Sequence, residues 1–191
     1  MTDAGVAAAY LASLARVLRA VPADDIARVA GALEQARAGG RLVVLMGNGG
    51  SAATASHVAL DLSKNTVRAG VPRLRVVALT DNVPMITAWA NDTEYKHVFD
   101  EQVQNLVATG DLVVAFSCSG TSANVVSAVQ RARSLGAITI GFTGPSGGLL
   151  KDLVDVCVMV PSDHVGQVED AHLAIGHILT DVLAGRGAGE G

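Results

Sequence analysis

The chain has 191 residues, of which 50% are hydrophobic but only 3% aromatic, and its net charge is −4. This length suits one α/β domain, whose core must be built from Ala, Val, Leu and Ile. The acidic balance and the absence of a Lys/Arg run argue against a nucleic-acid partner. The cysteines Cys118 and Cys157 form no CxxC pair, and no apolar run reaches the roughly 18–20 residues that span a bilayer. We therefore expect a cytoplasmic protein with no signal peptide and no membrane partner.

Two amphipathic helices are predicted within residues 2–38, ahead of the first strand. Apolar residues recur at helical spacing on both sides of Pro22, and Gly39-Gly40 ends the second helix. Because neither helix connects two strands, both should lie outside the α/β unit. The pattern leaves two roles open, which are a packing layer for the core and a bundle between copies of the chain.

Five short aliphatic runs then alternate with helical segments. The predicted strands are Leu42–Met46, Leu74–Leu79, Leu112–Phe116, Ala137–Phe142 and Asp155–Val160. The predicted helices cover residues 51–65, 83–106 with a break near 90–92, 122–135 and 165–183. This alternation predicts a three-layer αβα sandwich around a five-stranded parallel, doubly wound sheet. In such sheets ligands bind beyond the carboxyl ends of the strands, near the point where the strand order reverses. That rule selects the turns after the first and third strands.

The turn after the first strand reads Gly47-Asn48-Gly49-Gly50-Ser51 and leads into a helix. Glycines let the backbone approach a ligand, and a helix N-terminus offers unpaired N–H groups. Ser51 can cap the helix or donate its hydroxyl to a ligand. The spacing fits neither a dinucleotide fingerprint nor a Walker A loop. We interpret the segment as a ligand-binding turn, with a plain capped βα turn as the alternative.

The turn after the third strand reads Ser117-Cys118-Ser119-Gly120-Thr121-Ser122. Its hydroxyls and backbone N–H groups should converge at a helix N-terminus, which suits a phosphate monoester without a basic residue. The alternative is a Ser/Thr-rich loop in which Ser122 only caps the helix. Hydroxyl density at the carboxyl edge of a parallel strand favours phosphate.

Two helices carry His and carboxylate side chains suited to metal binding or proton transfer. His57 and Asp61 are spaced i, i+4 and share one helical face. On the last helix, Glu169 and His177 lie on roughly the same side but about 12 Å apart along the axis, whereas His172 diverges from His177 by roughly 140°. One ion could join Glu169 and His177 only through a long reach, a bend, or groups from another subunit. Spacing alone leaves solvated ion pairs and packed histidines as alternatives.

Four segments in the same order resemble the phosphoheptose isomerases of the sugar isomerase (SIS) type, over nearly the whole chain. Residues 47–57 resemble their opening signature, and residues 117–125 resemble their phosphate loop, S-T-S-G-N-S-x-N-V. Ala90-Asn91-Asp92 with Tyr95 and Phe99 is similar to their N-D-x-x-Y segment. Residues 169–179 resemble their Q-E-x-H-x-x-x-x-H-I-L helix.

The resemblance implies a flavodoxin-like SIS domain over residues 1–191. Residues 1–40 would be a helical extension used in oligomerisation, 41–184 the α/β core and 185–191 a flexible tail. It also implies conversion of sedoheptulose 7-phosphate to a D-glycero-D-manno-heptose 7-phosphate through an enediol. The implied assembly is a homotetramer with active sites at subunit interfaces.

The resemblance further implies a divalent metal, zinc, held by His57, Asp61, Glu169 and His177. The proton would be moved by Asp61 and His177, or by Glu169 and His177. The implied substrate-binding residues are Asn48, Gly49, Gly50, Ser51, Asn91, Asp92, Ser117, Cys118, Ser119 and Ser122.

Two positions depart from the family pattern. Asp61 stands where the family has Glu, and Glu169 stands where it has Gln. Asp is one methylene shorter, and a misplacement of about 1 Å can cost roughly a hundredfold in rate. The two changes could compensate each other, with Glu169 as the base, or mark another substrate or a lost activity. The alternative functions are a non-catalytic SIS protein that binds a replication initiator and a sugar-phosphate sensor.

Overall fold

The N-terminal region forms two helices that precede the sheet. The computed structural model describes residues 2–186. Helix α1 spans Asp3–Ala20 and helix α2 spans Ala23–Ala38, so both predicted helices are confirmed. Thr2 caps α1 by accepting a hydrogen bond from the Gly5 N–H at 3.3 Å. Beyond Arg186, the predicted flexible tail lies outside the described residues.

In the part of the chain that the structure describes, five parallel strands form one sheet in the order β2-β1-β3-β4-β5. The strands are β1 Leu42–Gly47, β2 Arg75–Ala78, β3 Leu112–Ser117, β4 Ile138–Thr143 and β5 Val156–Met159. All five predicted strands are present. The edge strand β2 is shorter than predicted, because the chain turns into a 3-10 turn at Leu79–Asp81.

Within the described residues, six further helices cover the sheet. They are α3 Gly50–Lys64, α4 Val83–Asp92, α5 Asp100–Leu106, α6 Ala123–Ser134, α7 Leu150–Leu153 and α8 Val165–Ala184. The predicted break near residue 92 is confirmed, since a 3-10 turn at Tyr95–His97 separates α4 from α5. The four-residue helix α7 was not predicted, because it is too short to show a helical period.

Strand β1 illustrates how both faces of the sheet are buried. Val43 and Leu45 pack into a cluster with α2, α3 and α8, whereas Val44 and Met46 face a second cluster with α5 and α6. All four side chains are fully buried. A parallel sheet covered on both sides explains why its strands read as continuous aliphatic runs.

The strand order reverses between β1 and β3. Gly47 pairs with Phe116, so the turns that follow these two strands begin side by side. Helix α3 then leaves toward one face of the sheet and α6 toward the other. The resulting crevice is where doubly wound sheets bind ligands. Within residues 2–186, no single helix is long and apolar enough to cross a membrane, although α1 and α2, bent by 66° at their junction, meet the length and composition criteria as a pair.

Candidate active site

A cavity of about 260 Å³ opens at this crevice. It is lined by Asn48, Ser51, Phe116, Ser117, Cys118, Ser119, Ser122, Val165 and Glu169. The structure therefore joins the two turns that the sequence selected. A larger groove of about 610 Å³ runs along the β2 edge and α3. It contains none of the residues predicted for the site. We therefore take the smaller cavity, which we call the serine cavity, as the candidate site.

Three hydroxyls of the second turn face one another in the serine cavity. The Ser117 Oγ lies 3.3 Å from the Ser122 Oγ and 3.5 Å from the Ser119 Oγ. Ser122 occupies the N-cap position of α6, yet its side chain makes no capping hydrogen bond. The capping alternative therefore does not account for its hydroxyl. Hydroxyls converging at the positive end of a helix dipole form a suitable site for an anion.

The shape of this turn depends on Gly120, whose φ is +66°. The Gly120 carbonyl accepts hydrogen bonds from the Leu149 N–H at 2.9 Å and the Leu150 N–H at 3.1 Å. A Cβ at residue 120 would overlap the carbonyl oxygen of Gly147. Only glycine therefore fits, and the turn is held in place by the loop that follows β4.

An amide pair connects the two turns. The Asn48 Nδ2 donates to the Asn124 Oδ1 and the Asn124 Nδ2 donates to the Asn48 Oδ1, both at 2.8 Å. The Tyr95 hydroxyl also donates to the Asn48 Oδ1 at 3.3 Å. Asn124 is buried and received no role from the sequence, although it belongs to the segment that resembles the phosphate loop. The pair sets the distance between the turns.

A second group of polar side chains lies between α3 and α8. The Asp61 Oδ2 is 3.4 Å from the His57 Nε2 and 3.7 Å from the His177 Nε2, and the two ring nitrogens are 3.2 Å apart. We call these three residues the histidine cluster. Asp61 is buried, and its Oδ1 accepts a hydrogen bond from the Asn65 Nδ2 at 2.8 Å, which fixes the carboxylate.

Close helix packing brings the histidine cluster together. Helix α8 packs against α3, and a Cβ at Gly176 would overlap the Val58 side chain. Val58 and Gly176 are the sequence neighbours of His57 and His177. The small residue thus lets the two imidazoles meet. One ligand atom from each cluster residue lies within 4.8 Å of the others, and two imidazoles with a carboxylate are a donor set that suits zinc.

Glu169 is not part of the histidine cluster. It lines the serine cavity, where its carboxylate rests against the backbone of Gly50 at the start of α3. The helical separation from His177 that the sequence predicted accounts for this placement. Asn91 and Asp92 also lie outside the cavity lining. They are exposed at the end of α4, where the Asn91 Nδ2 donates to the Asp92 Oδ1 at 2.8 Å.

His172 packs in the core of the protein. This is the interpretation that the sequence favours for an isolated histidine on an amphipathic helix. Its ring is buried beside Phe116 and Phe142, and its Nε2 lies 3.2 Å from the Thr143 carbonyl oxygen. Burial lowers the pKa of His172 to about 4. The ring is therefore neutral at pH 7 and donates a hydrogen bond to Thr143.

Comparison with known proteins agrees with this geometry. The family model described as "SIS domain" matches residues 9–144. A phosphoheptose isomerase from Rhodospirillum rubrum is 42% identical over 162 residues, which are 84% of this chain and 85% of that protein.

Two solved structures are similar over nearly the whole chain. A phosphoheptose isomerase from Francisella tularensis has a TM-score of 0.87 at 31% identity, covering 97% of this chain and 100% of that one. A phosphoheptose isomerase from Neisseria gonorrhoeae has a TM-score of 0.88 at 30% identity, covering 95% and 98%. The chain belongs to the SIS-domain family and, within it, to the phosphoheptose isomerases.

Proposed function

We propose that this sugar-phosphate isomerase converts sedoheptulose 7-phosphate to a D-glycero-D-manno-heptose 7-phosphate through an enediol. The observation that carries the proposal is the spacing of two polar groups along α3. Ser51 belongs to the serine cavity and His57 to the histidine cluster, and six residues of helix separate them by about 9 Å. An extended seven-carbon sugar phosphate can span a distance of this order, with its phosphate at one group and C1–C2 at the other.

The serine cavity would hold the phosphate. Ser51, Ser117, Ser119 and Ser122 supply hydroxyl donors, and the N-termini of α3 and α6 add positive dipole ends. The amide pair of Asn48 and Asn124 fixes the two turns before the ligand arrives. A preorganised site of this kind avoids the entropic cost of ordering the loops when the ligand binds.

The histidine cluster would hold a divalent cation, zinc, at the C1–C2 end. When bound, such a cation stabilises negative charge on the sugar oxygens. His57 and His177 are partly exposed, so a substrate can reach the cluster. Asn65 keeps the Asp61 carboxylate turned toward the two rings, which is the kind of outer contact that metal ligands have.

We assign the proton transfer between C1 and C2 to Asp61 and His177. These are the acid–base side chains at the end of the site away from the phosphate, whereas Glu169 lies beside Ser51. Asp61→Asn should abolish turnover, and Glu169→Gln should leave measurable turnover. An active Asp61→Asn together with a dead Glu169→Gln would instead make Glu169 the base.

We also propose a homotetramer in which residues 1–40 form the contacts between copies. Helix α1 buries only Val17, while Val6, Leu11 and Leu18 are exposed on it. An uncovered apolar helix face of this kind favours association. Light scattering at micromolar concentration should give four times the chain mass, and a monomer would contradict the assignment.

The test of the function is an isomerisation assay with the zinc-loaded protein. Sedoheptulose 7-phosphate should be converted to an aldose, with fructose 6-phosphate and ribulose 5-phosphate as comparison substrates. Faster conversion of a shorter sugar would move the substrate assignment to that sugar. Binding of sugar phosphates without any conversion would instead support the sugar-phosphate sensor.

A further inference from the structure

Helix α1 packs against α8 of its own chain through one stripe of side chains. Tyr10, Ser13 and Val17 share this face of α1, since they are spaced i, i+3 and i+7. Val17 is buried, and the other two are half-buried. The exposed Leu11 and Leu18 lie roughly 120° around the helix from the middle of the stripe, at 100° per residue. Helix α1 therefore has an inner face toward α8 and a separate apolar face available to another copy.

Tyr10 contacts the first two turns of α8. Its hydroxyl donates a hydrogen bond to the Asp170 Oδ2 at 2.6 Å. Its ring meets His164, the N-cap residue of α8, edge to face, with ring centroids 5.4 Å apart. A Cβ at Gly166 would lie 3.3 Å from the Tyr10 hydroxyl, so the missing side chain lets Tyr10 approach the helix. One side chain of α1 thus holds the N-cap and the second turn of α8 together.

Gln167 provides a second connection between the same elements. Its side chain is buried, and its Oε1 accepts hydrogen bonds from the Ser162 Oγ at 3.0 Å and the Ser13 Oγ at 3.4 Å. Its backbone N–H donates to the His164 Nδ1 at 3.4 Å. Helix α1, the loop before α8 and α8 itself therefore share one buried polar group.

The same part of α8 forms one wall of the serine cavity. Val165 and Glu169, spaced i, i+4, line the cavity. Gly166 and Asp170, each one position further along, face Tyr10. A shift or rotation of these two turns would therefore move the wall relative to the serine hydroxyls.

We propose that Tyr10 is a positioning residue for the substrate phosphate, because it fixes the two turns of α8 that face the serine hydroxyls. This role is distinct from contacts between copies, and it rests on the assignment of the phosphate to the serine cavity in the proposed function. The histidine cluster is held differently, since His177 lies where α8 packs against Val58 at Gly176. Tyr10 should therefore affect phosphate affinity and KM, and leave kcat and zinc binding unchanged.

The test compares full-length Tyr10→Phe with the wild type. Phenylalanine keeps the ring against His164 but cannot donate to Asp170. Calorimetric titration with inorganic phosphate should show binding weaker by about fivefold, the effect expected of one lost hydrogen bond. In the isomerisation assay of the zinc-loaded protein, KM should rise by a similar factor and kcat should stay within about twofold. A fall in kcat at unchanged KM would overturn the proposal.

Light scattering separates this role from assembly. Tyr10→Phe should keep the mass of the wild type, because Leu11 and Leu18 are unchanged. Loss of phosphate affinity that accompanies dissociation would place the effect in the contacts between copies and overturn the proposal. Arg19→Gln, at an exposed position of α1 away from the stripe, is the control and should bind phosphate as the wild type does.

Variants of the acceptor test the hydrogen bond itself. Asp170→Ala should weaken phosphate binding as Tyr10→Phe does, and the double variant should be no weaker than either single variant. Asp170→Asn keeps an oxygen acceptor and should bind phosphate within about twofold of the wild type. Multiplied losses in the double variant would show that the two side chains act independently and would contradict the proposal.

Ser119→Ala distinguishes this proposal from the function on which it rests. This variant should weaken phosphate binding, because Ser119 lines the serine cavity. If it does not, the phosphate lies elsewhere and both proposals fail. Weakened binding by Ser119→Ala together with wild-type affinity of Tyr10→Phe would overturn the positioning role alone.

Discussion

The amide pair between Asn48 and Asn124 gives the sharpest structural prediction. Asn124→Ala removes two hydrogen bonds of 2.8 Å and the acceptor for the Val125 N–H, and it leaves the Asn48 amide half-buried without this partner. At about 1 kcal/mol per hydrogen bond, plus the cost of the unpaired amide, the free energy of unfolding should fall by about 2–3 kcal/mol. The two turns should also lose their fixed spacing. Because a shift of about 1 Å can cost roughly a hundredfold in rate, kcat/KM should fall by about that factor.

Urea unfolding of Asn48→Ala, Asn124→Ala and the double variant measures the pair directly. We expect a coupling energy of about 1–2 kcal/mol, because each single change already breaks both bonds. Asn105→Ala, an exposed position on α5, serves as the matched control and should cost less than about 0.5 kcal/mol. Additivity of the two single changes within about 0.4 kcal/mol would refute the account of how the turns are held together.

Three further changes test other parts of the site. Gly120→Ala should destabilise the protein by at least about 1–2 kcal/mol through its positive φ alone and abolish phosphate binding, and normal phosphate titration would contradict this. Gly176→Ala should force α8 away from Val58 and lower the zinc content measured by mass spectrometry, whereas full zinc occupancy would show that the close packing is not needed. The pKa of His172 is lower in the folded chain than in the unfolded chain, so protonation of this ring favours unfolding. The stability that the neutral ring provides is fully present above about pH 6.5 and is lost as the pH falls toward about 4. The free energy of unfolding, measured by urea titration at each pH, should fall by about 3 kcal/mol over this range. His172→Gln, if it folds, should lack this part of the pH dependence.

The meeting of the two turns at one cavity could be predicted from the sequence because it depends on strand order. Aliphatic runs predicted the parallel strands, and the rule for doubly wound sheets then selected the turns that contain Asn48 and Ser117. The i, i+4 spacing correctly placed His57 and Asp61 together. These inferences need only the local hydrophobic periodicity and the alternation of strands and helices, and both can be read from the sequence.

The remaining features depend on contacts between distant segments. The pairing of Asn124 with Asn48 requires the register that sets Gly47 against Phe116, and no local pattern reveals that register. The location of Glu169 depends on which groups meet across α3 and α8. Helical geometry already indicated that Glu169 and His177 are far apart, whereas the resemblance implied that they meet at one ion. Within the single chain, Glu169 lies against Gly50.

Solvent exchange during turnover tests the central claim most directly. The zinc-loaded protein would be incubated with sedoheptulose 7-phosphate in D₂O and the product followed by NMR. Proton transfer through an enediol by Asp61 and His177 predicts an aldose heptose 7-phosphate that carries solvent deuterium at C2, and predicts neither product nor exchange for His177→Ala. Recovery of unlabelled sedoheptulose 7-phosphate from the folded, zinc-loaded wild type would contradict the account.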